Sequence, residues 1–260
     1  MLNWLALVIG NTRWHWAWFN NTDLKHVWHT PHLLPNQLST INLRSIWTEQ
    51  APPQLLTTTE PINIWAVSVV PSQAQYLDSI PTVRWIEHVP LKGVYPTMGL
   101  DRVITLWGAG YQYGWPVLVI DGGTALTFTA GADGAFSGGA ILLGLRSHFA
   151  ALHDYTAALP IVSLPEESPP HWAKDTPNAI QSGVIHVLLS GMHSFIQDWQ
   201  QQHPKTVVLF TGGDGQYLYQ LYQQTYQTKR NQVLLLSTWF DPNLMFWGIS
   251  AYRREATRAL

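Results

Sequence analysis

A short motif that occurs twice constrains the fold of this chain more than any other feature. Residues 8–12 (VIGNT) and 121–125 (DGGTA) each follow a short apolar run and precede a second one. Apolar runs separated by Gly, Asn and Thr are typical of strands joined by tight turns. Gly10 and Gly123 lie 113 residues apart, close to half of the 260-residue chain. The repeat predicts two similar α/β halves, although two unrelated hairpins would share the same local pattern.

Composition narrows the class of protein. A chain of this length with 46% hydrophobic residues buries a large core without disulfide or metal support. Cysteine is absent, which excludes disulfides, cysteine-ligated zinc and thiol catalysis. The net charge of −2 and the lack of a basic patch disfavour nucleic acid as a partner. No apolar run reaches the roughly 18 residues of a membrane span, so we expect no membrane partner. The absence of cysteine fits a cytoplasmic protein.

The apolar periodicity predicts which elements carry the repeated turns. Leu5–Ile9 is a short apolar strand, and Arg13–Phe19 alternates so that Trp14, Trp16 and Trp18 share one face of a second strand. Helices are predicted over residues 98–111 and 144–158, and from Thr176, with that Thr as N-cap and Pro177 in the first helical position. Residues 31–60 are rich in Pro, Thr and Gln, with one or two short helices at most.

Three turns that combine Gly with Thr follow predicted strands, at residues 10–12, 122–124 and 211–213. Backbone N–H groups that approach without a Cβ, together with hydroxyl donors, can hold phosphate groups. The P-loop pattern and the G-x-G-x-x-G pattern are both absent from the sequence. Any one turn is ordinary, but three together indicate a nucleotide site of another kind.

A second candidate motif is Gly99-Leu100-Asp101-Arg102, preceded by Tyr95. An Asp in this position can take a proton from a substrate hydroxyl, and an adjacent Arg can clamp an anion. The same pair would also arise as a favourable contact with a helix dipole and a surface ion pair. The residues alone leave both interpretations open.

These motifs occur in the order found in type III pantothenate kinases, which the chain resembles from residue 5 to about residue 250. The matching segments are residues 10–12 (GNT), 99–102 (GLDR), 121–125 (DGGTA), 138–141 (GGAI), 144–145 (GL), 176–183 (TPNAIQSG) and 211–213 (TGG). The resemblance implies the acetate-and-sugar-kinase/Hsp70/actin fold. That fold has two duplicated RNase H-like domains of mixed sheets flanked by helices, with a nucleotide cleft between them. We assign the domains to residues 1–112 and 113–260.

The resemblance also implies an activity. The enzymes of this family transfer the γ-phosphate of ATP to pantothenate, which yields 4′-phosphopantothenate and begins coenzyme A synthesis. Asp101 resembles the general base. The positions that resemble the pantothenate-binding residues are Tyr95, Gly99, Leu100, Asp101, Arg102 and Thr176.

The remaining site residues follow from the same resemblance. The positions that resemble contacts to the ATP phosphates are Gly10, Asn11, Thr12, Arg13 and Thr124. Asp121 resembles the ligand of a monovalent cation, K⁺ or NH₄⁺, and the family also uses Mg²⁺. The resemblance further implies a homodimer whose pantothenate site is shaped by both chains.

One position departs from the family pattern. The first motif normally opens with Asp two residues before the Gly, and this chain has Val8 there. Because a Val side chain cannot ligate a cation, we expect weak Mg²⁺ binding and a low kcat, both improved by Val8→Asp. One alternative is that Asp121 and ordered waters already complete the metal shell. Another is a weakly active or non-catalytic relative that acts as a nucleotide- or protein-binding accessory factor.

Overall fold

The computed structural model describes residues 3–33, 50–57, 60–227 and 237–258. Its contacts divide the chain into two units. The first unit consists of Met1–Tyr111 and Met245–Leu260, and the second is Gln112–Leu244. The assignment of residues 113–260 to one domain stays a prediction, and the contact units differ from it because the C-terminal helix packs with the first unit. Much of the predicted 31–60 helical region lies outside the described residues.

The two units contain ten strands among the described residues. The strands are β1 (Asn3–Ile9), β2 (Arg13–Asn20), β3 (Asp23–Pro31), β4 (Asn63–Ser68), β5 (Val83–Trp85), β6 (Val117–Gly122), β7 (Ala125–Ala132), β8 (Ala135–Leu143), β9 (Val207–Thr211) and β10 (Ser237–Phe240). The α-helices are α1 (Pro53–Thr57), α2 (Pro71–Ala74), α3 (Leu100–Tyr113), α4 (Leu145–Asp154), α5 (Thr176–Gln202), α6 (Gly215–Tyr222) and α7 (Leu244–Arg258). A 3₁₀ turn (Gln75–Leu77) follows α2, and a π-helical turn (Gln223–Gln227) follows α6.

The two sheets have the same topology. The first sheet has the order β3-β2-β1-β4-β5, and the second has the order β8-β7-β6-β9-β10. In each sheet the first three strands in sequence form an antiparallel meander, and the last two add in parallel on the other side. The predicted duplication of an α/β fold with mixed sheets is therefore confirmed.

Strand alternation gives the first sheet two buried faces. Trp14 and Trp16 lie in an apolar cluster on one face, against which Trp18 also packs, as predicted. Val8 lies in a second cluster on the opposite face, where it is 1% exposed. Helices α3 and α7 cover this second face and approach so closely that a Cβ on Gly248 would lie 2.0 Å from the carbonyl oxygen of Ile104.

The second sheet packs its principal core against α4, α5 and α6. Helix α5 begins at Thr176, but its N-cap is Asp175, whose carboxylate accepts hydrogen bonds from the backbone N–H and side-chain amide of Asn178 at 3.0 and 2.7 Å. The prediction of Thr176 as N-cap was wrong because Asp175 has the extended backbone that an N-cap needs.

Length and composition alone would allow α5 to cross a membrane, with 44% of its apolar window buried. One such helix is weak evidence for a membrane span, because the core helix of a globular domain passes the same test. In this structure Ile185, Leu189 and Met192 of α5 are buried in the principal core of the second unit.

Candidate active site

The start of α3 holds the predicted base in a tight backbone turn. The backbone N–H groups of Arg102 and Val103 donate to the carbonyl oxygen of Gly99 at 3.1 and 3.2 Å. The Asp101 carboxylate folds back and accepts from the Arg102 N–H at 2.8 Å. A Cβ at position 99 would lie 2.6 Å from the Asp101 Oδ1, so this turn requires glycine unless the carboxylate moves. The sequence Gly-Leu-Asp-Arg therefore fixes the carboxylate at the helix terminus.

The Asp101 carboxyl has an altered acidity. Burial raises its pKa above the usual value, and this effect exceeds the opposing effects of the Arg102 N–H and of the Arg102 charge. A carboxylate with a raised pKa is a stronger base than an exposed one, which suits proton abstraction from a hydroxyl.

Arg102 and Tyr95 are brought together beside Asp101. A terminal nitrogen of the Arg102 guanidinium donates to the Tyr95 hydroxyl at 3.1 Å. This hydrogen bond lies near the surface, since Tyr95 is exposed and Arg102 is half-buried. Tyr95, Gly99, Leu100, Asp101 and Arg102 thus form one local group, as the sequence motif predicts. The arrangement places a carboxylate and a guanidinium side by side.

The turn between β1 and β2 exposes polar residues 11–13. Its backbone is closed by a hydrogen bond from the Gly10 N–H to the Arg13 carbonyl at 3.1 Å. His32 binds the carbonyl oxygen of Gly10 through Nε2 at 2.8 Å. His15 also faces the turn, and burial, His29 and Arg13 lower its pKa to about 4, so it is neutral at pH 7. Neither histidine had been predicted to border this turn.

The corresponding turn in the second unit carries Asp121. Asp121 pairs in register with Thr211 on the parallel neighbour β9, so both side chains lie on the same face of the sheet. Gly212 has a φ of +86°, and a Cβ there would lie 2.2 Å from the Asp121 Oδ1. Thr211 is 1% exposed, and its Oγ1 has no hydrogen-bond partner. The turns at residues 122–124 and 211–213, predicted separately, thus form one cluster.

A third segment, at the start of α4, closes on the same turn. The Gly144 N–H and the Ser147 hydroxyl both donate to the Thr124 carbonyl oxygen, at 2.9 and 2.8 Å. A Cβ on Gly144 would lie 2.0 Å from the carbonyl oxygen of Gly123. Sequence reasoning placed residues 144–145 within a family motif but assigned them no contact, because a contact between distant segments has no local signal.

An ion pair joins two of these segments. The Arg146 Nε lies 2.8 Å from the Asp214 Oδ1. The Asp214 side chain is 8% exposed, whereas that of Arg146 is 68% exposed. The Asp214 N–H also donates to the Gly122 carbonyl oxygen at 2.8 Å. Neither charged residue was predicted as a site residue.

Thr176 lies at one end of an apolar groove in the second unit. The groove measures about 960 Å³ and is formed by α5 with β7, β8 and α4. Val187 and Phe195 expose 72% and 45% of their surfaces along it. Thr176 belongs to a different unit from the group around Asp101.

The described residues contain no group of three or more His, Asp or Glu side chains arranged to hold a metal ion. The candidate cation site therefore rests on Asp121 and the oxygen atoms around it. Position 8 does not fit a metal ligand, because the Val8 side chain is apolar and buried in the cluster under α3 and α7.

Comparison with known sequences identifies the family. The sequence profile of the family described as type III pantothenate kinase matches residues 4–198. A type III pantothenate kinase of Nostoc sp. (strain PCC 7120) is 40% identical over 265 residues, covering 95% of this chain and 92% of the relative. The type III pantothenate kinase of Gloeobacter violaceus is 37% identical over 256 residues, covering 97% and 99% of the two chains.

Comparison with solved structures agrees on the fold. A Baf family protein of Campylobacter jejuni superposes with a TM-score of 0.64 at 19% identity, covering 98% of this chain and 99% of that chain. The ethanolamine utilization protein EutJ of Carboxydothermus hydrogenoformans superposes with a TM-score of 0.51 at 10% identity, covering 97% of this chain and 90% of that chain. At these identities the likeness shows the fold alone, which is the predicted actin-like class. By its sequence profile and its relatives, the chain belongs to the type III pantothenate kinase family, whose members are ATP-dependent kinases.

Proposed function

We propose that this protein transfers the γ-phosphate of ATP to the primary hydroxyl of pantothenate, forming 4′-phosphopantothenate at the start of coenzyme A synthesis in the cytoplasm. The observation that carries this proposal is the Asp101 carboxylate, held by the Arg102 N–H at 2.8 Å, with its pKa raised by burial. A carboxylate of this kind accepts the proton that the pantothenate hydroxyl must lose when it attacks phosphorus.

The residues next to this base provide the acceptor site. Arg102 carries the positive charge that would pair with the pantothenate carboxylate, and its hydrogen bond to Tyr95 orients it. Gly99 and Leu100 form the adjacent wall of the turn. Binding the carboxylate through Arg102 positions the substrate hydroxyl toward Asp101, and such positioning supplies a large part of phosphoryl-transfer catalysis.

Each of the two hairpin turns is a proposed phosphate-binding turn. In the first turn, the exposed residues Asn11, Thr12 and Arg13 would contact the ATP phosphates, and Gly10 shapes the turn through its N–H bond to the Arg13 carbonyl. In the second turn, the Thr124 hydroxyl would contact phosphate. Mg²⁺ arrives with ATP, and Val8 contributes no ligand to it. This arrangement supports the expectation of a high Mg²⁺ requirement.

Asp121 is the proposed ligand of the monovalent cation. The unpartnered Thr211 Oγ1 is buried in register beside Asp121, and a buried hydroxyl without a partner points to an ion or water that completes it. Gly212 leaves room for the carboxylate where any other residue would fill it. K⁺ or NH₄⁺ held there would supply positive charge next to the phosphate-binding turn.

The apolar groove along α5 is the proposed contact with a second copy of the chain. Val187 and Phe195 expose apolar side chains along this groove, and a symmetric dimer would cover them on both copies. Thr176 lies at the end of the groove, so a second copy docked there would border this proposed pantothenate contact. Sedimentation should give a dimer, which Val187→Glu converts to monomer while Gln197→Glu, on the same helix outside the groove, leaves the dimer intact. A wild-type monomer with full activity would contradict this assignment.

The activity is tested by ADP release coupled to pantothenate, measured with and without K⁺. We expect ADP release that requires pantothenate and rises with K⁺ or NH₄⁺ much more than with Na⁺. The alternative of a non-catalytic accessory factor is not favoured, since the chain belongs to a family of kinases and keeps the candidate base. Pantothenate-independent ADP release, or none at all, would count against the proposal.

A further inference from the structure

The ion pair between Arg146 and Asp214 joins a buried carboxylate to an exposed guanidinium. Asp214 is almost fully buried, so its charge must be paired, and Arg146 Nε pairs with it at 2.8 Å. Arg146 is nevertheless 68% exposed, and the described residues give its terminal nitrogens no hydrogen-bond partner. One edge of the guanidinium is thus fixed by protein, while its other donors remain available to a ligand.

The pair is located at the turn where phosphate is proposed to bind. Arg146 is the second residue of α4, whose N-terminal segment is bonded to Thr124 through Gly144 and Ser147. Asp214 is bonded through its N–H to Gly122 on the other side of the same turn. The pair therefore links the two segments that enclose residues 122–124.

The turn at residues 122–124 needs a nearby positive charge if it is to bind phosphate. Asp121 and Asp214 place two carboxylates around a backbone turn proposed to receive the anionic phosphate chain of ATP. Unpaired carboxylates would repel phosphate. Pairing with Arg146 neutralises Asp214, and the planar guanidinium has further donors in a geometry that suits phosphate oxygens.

We propose that Arg146 is a phosphate-binding residue of the nucleotide site, held in orientation by Asp214. This assignment rests on the proposed kinase function. It adds a cationic ligand from the second unit that the family motif does not supply. Charge-assisted hydrogen bonds from Arg146 would act on ATP and ADP, which carry the phosphate chain, and would not act on adenosine.

The test is calorimetric binding of ADP and of adenosine to the wild-type protein and to Arg146→Ala. We expect Arg146→Ala to weaken ADP binding by roughly 10- to 100-fold and to leave adenosine binding unchanged. Arg146→Lys keeps the positive charge but lacks the planar guanidinium with its paired N–H donors. Its ADP affinity should lie between those of the wild type and Arg146→Ala. Arg258→Ala removes an exposed arginine at the end of α7 and serves as the matched control.

The outcomes separate a ligand from a structural support. Equal losses for ADP and adenosine, or no loss for ADP, would overturn the assignment. Arg146→Ala leaves the buried Asp214 carboxylate unpaired, which would lower the melting temperature. In the double variant Arg146→Ala/Asp214→Asn this charge is absent, and the ratio of ADP affinity to adenosine affinity must still be lower than in the wild type. A wild-type protein that binds ADP through Arg146 but phosphorylates no pantothenate would overturn the proposed function alone. A wild-type protein that binds no ADP would overturn both.

Discussion

The two hairpin turns of this protein share one topology and have different surroundings. In the first unit, Val8 precedes the turn and is buried among apolar side chains, and two histidines border the turn. In the second unit, Asp121 precedes the turn and lies against Gly212 and beside Thr211. The two units thus share their strand topology, but the residue before the turn is apolar in the first unit and acidic in the second. The candidate carboxylate of the first unit is Asp101, at the start of α3, and not position 8.

The largest expected effect tests this division. Asp101→Asn should lower kcat by about 10²- to 10⁴-fold, the usual contribution of a general base, with ADP binding retained. Since the deprotonated carboxylate is the active form, wild-type kcat should rise with pH through an Asp101 pKa above that of an ordinary Asp. Folding favours the protonated form of such a group, so its contribution to stability is lost as the pH rises through the raised pKa. Asp101→Asn should therefore be no less stable than wild type at pH 7, and a kcat near wild type would contradict the role of Asp101.

A pair of glycine substitutions compares the surroundings of the two turns, because Gly212 lies on the neighbouring turn after β9 and packs against Asp121. Gly212→Ala requires a left-handed backbone and a Cβ 2.2 Å from the Asp121 Oδ1, so it should destabilise the protein by at least about 2 kcal/mol and abolish the response to K⁺. A Cβ at position 10 would lie 3.4 Å from the His15 ring and 3.5 Å from the Arg13 carbonyl oxygen, which are ordinary contacts, so Gly10→Ala should change stability by less than about 0.5 kcal/mol. Urea unfolding of both variants measures the difference. Equal destabilisation would show that the surroundings of the two turns impose the same steric constraint.

Val8→Asp makes the first turn resemble the second. We expect a higher kcat and a lower Mg²⁺ requirement, together with a stability loss of about 1–3 kcal/mol, because the carboxylate enters an apolar cluster. Val8→Ala is the control that removes apolar contacts without adding charge. Kinetics against Mg²⁺ decide the matter: if Val8→Asp changes neither kcat nor the Mg²⁺ requirement, position 8 has no metal role here.

The smallest effect concerns the buried hydroxyl beside Asp121. Without K⁺, Thr211→Val should leave stability equal or raise it by up to about 1 kcal/mol, because an unpaired hydroxyl is removed. Wild type should gain about 1.4 kcal/mol of stability at a K⁺ concentration ten times the Kd, and the variant less. Asp121→Asn should weaken the gain further, with Na⁺ as the ionic-strength control. A K⁺-dependent melting shift that is identical in all three proteins would exclude both residues as ligands.

Local sequence patterns were sufficient for the features that depend on neighbours along the chain. The alternation of Trp14, Trp16 and Trp18 predicted one buried face, which the structure confirms. The repeated motif predicted the duplicated fold, and the Gly-Leu-Asp-Arg spacing brought Asp101 and Arg102 together at one helix start. Each of these depends on strand period, turn chemistry or helix geometry over a few residues.

The sequence by itself determined the duplicated fold, its turns and the local Asp101 group, because these are encoded in periodicity and short spacing. Only the tertiary structure paired Arg146 with Asp214, 68 residues away, and placed Gly144 against the Gly123 carbonyl. It also assigned α7 to the first unit and buried Val8 under α3 and α7. The physical reason is that burial and pairing are set by which segments approach in space, and the residues of one segment do not encode the identity of the other.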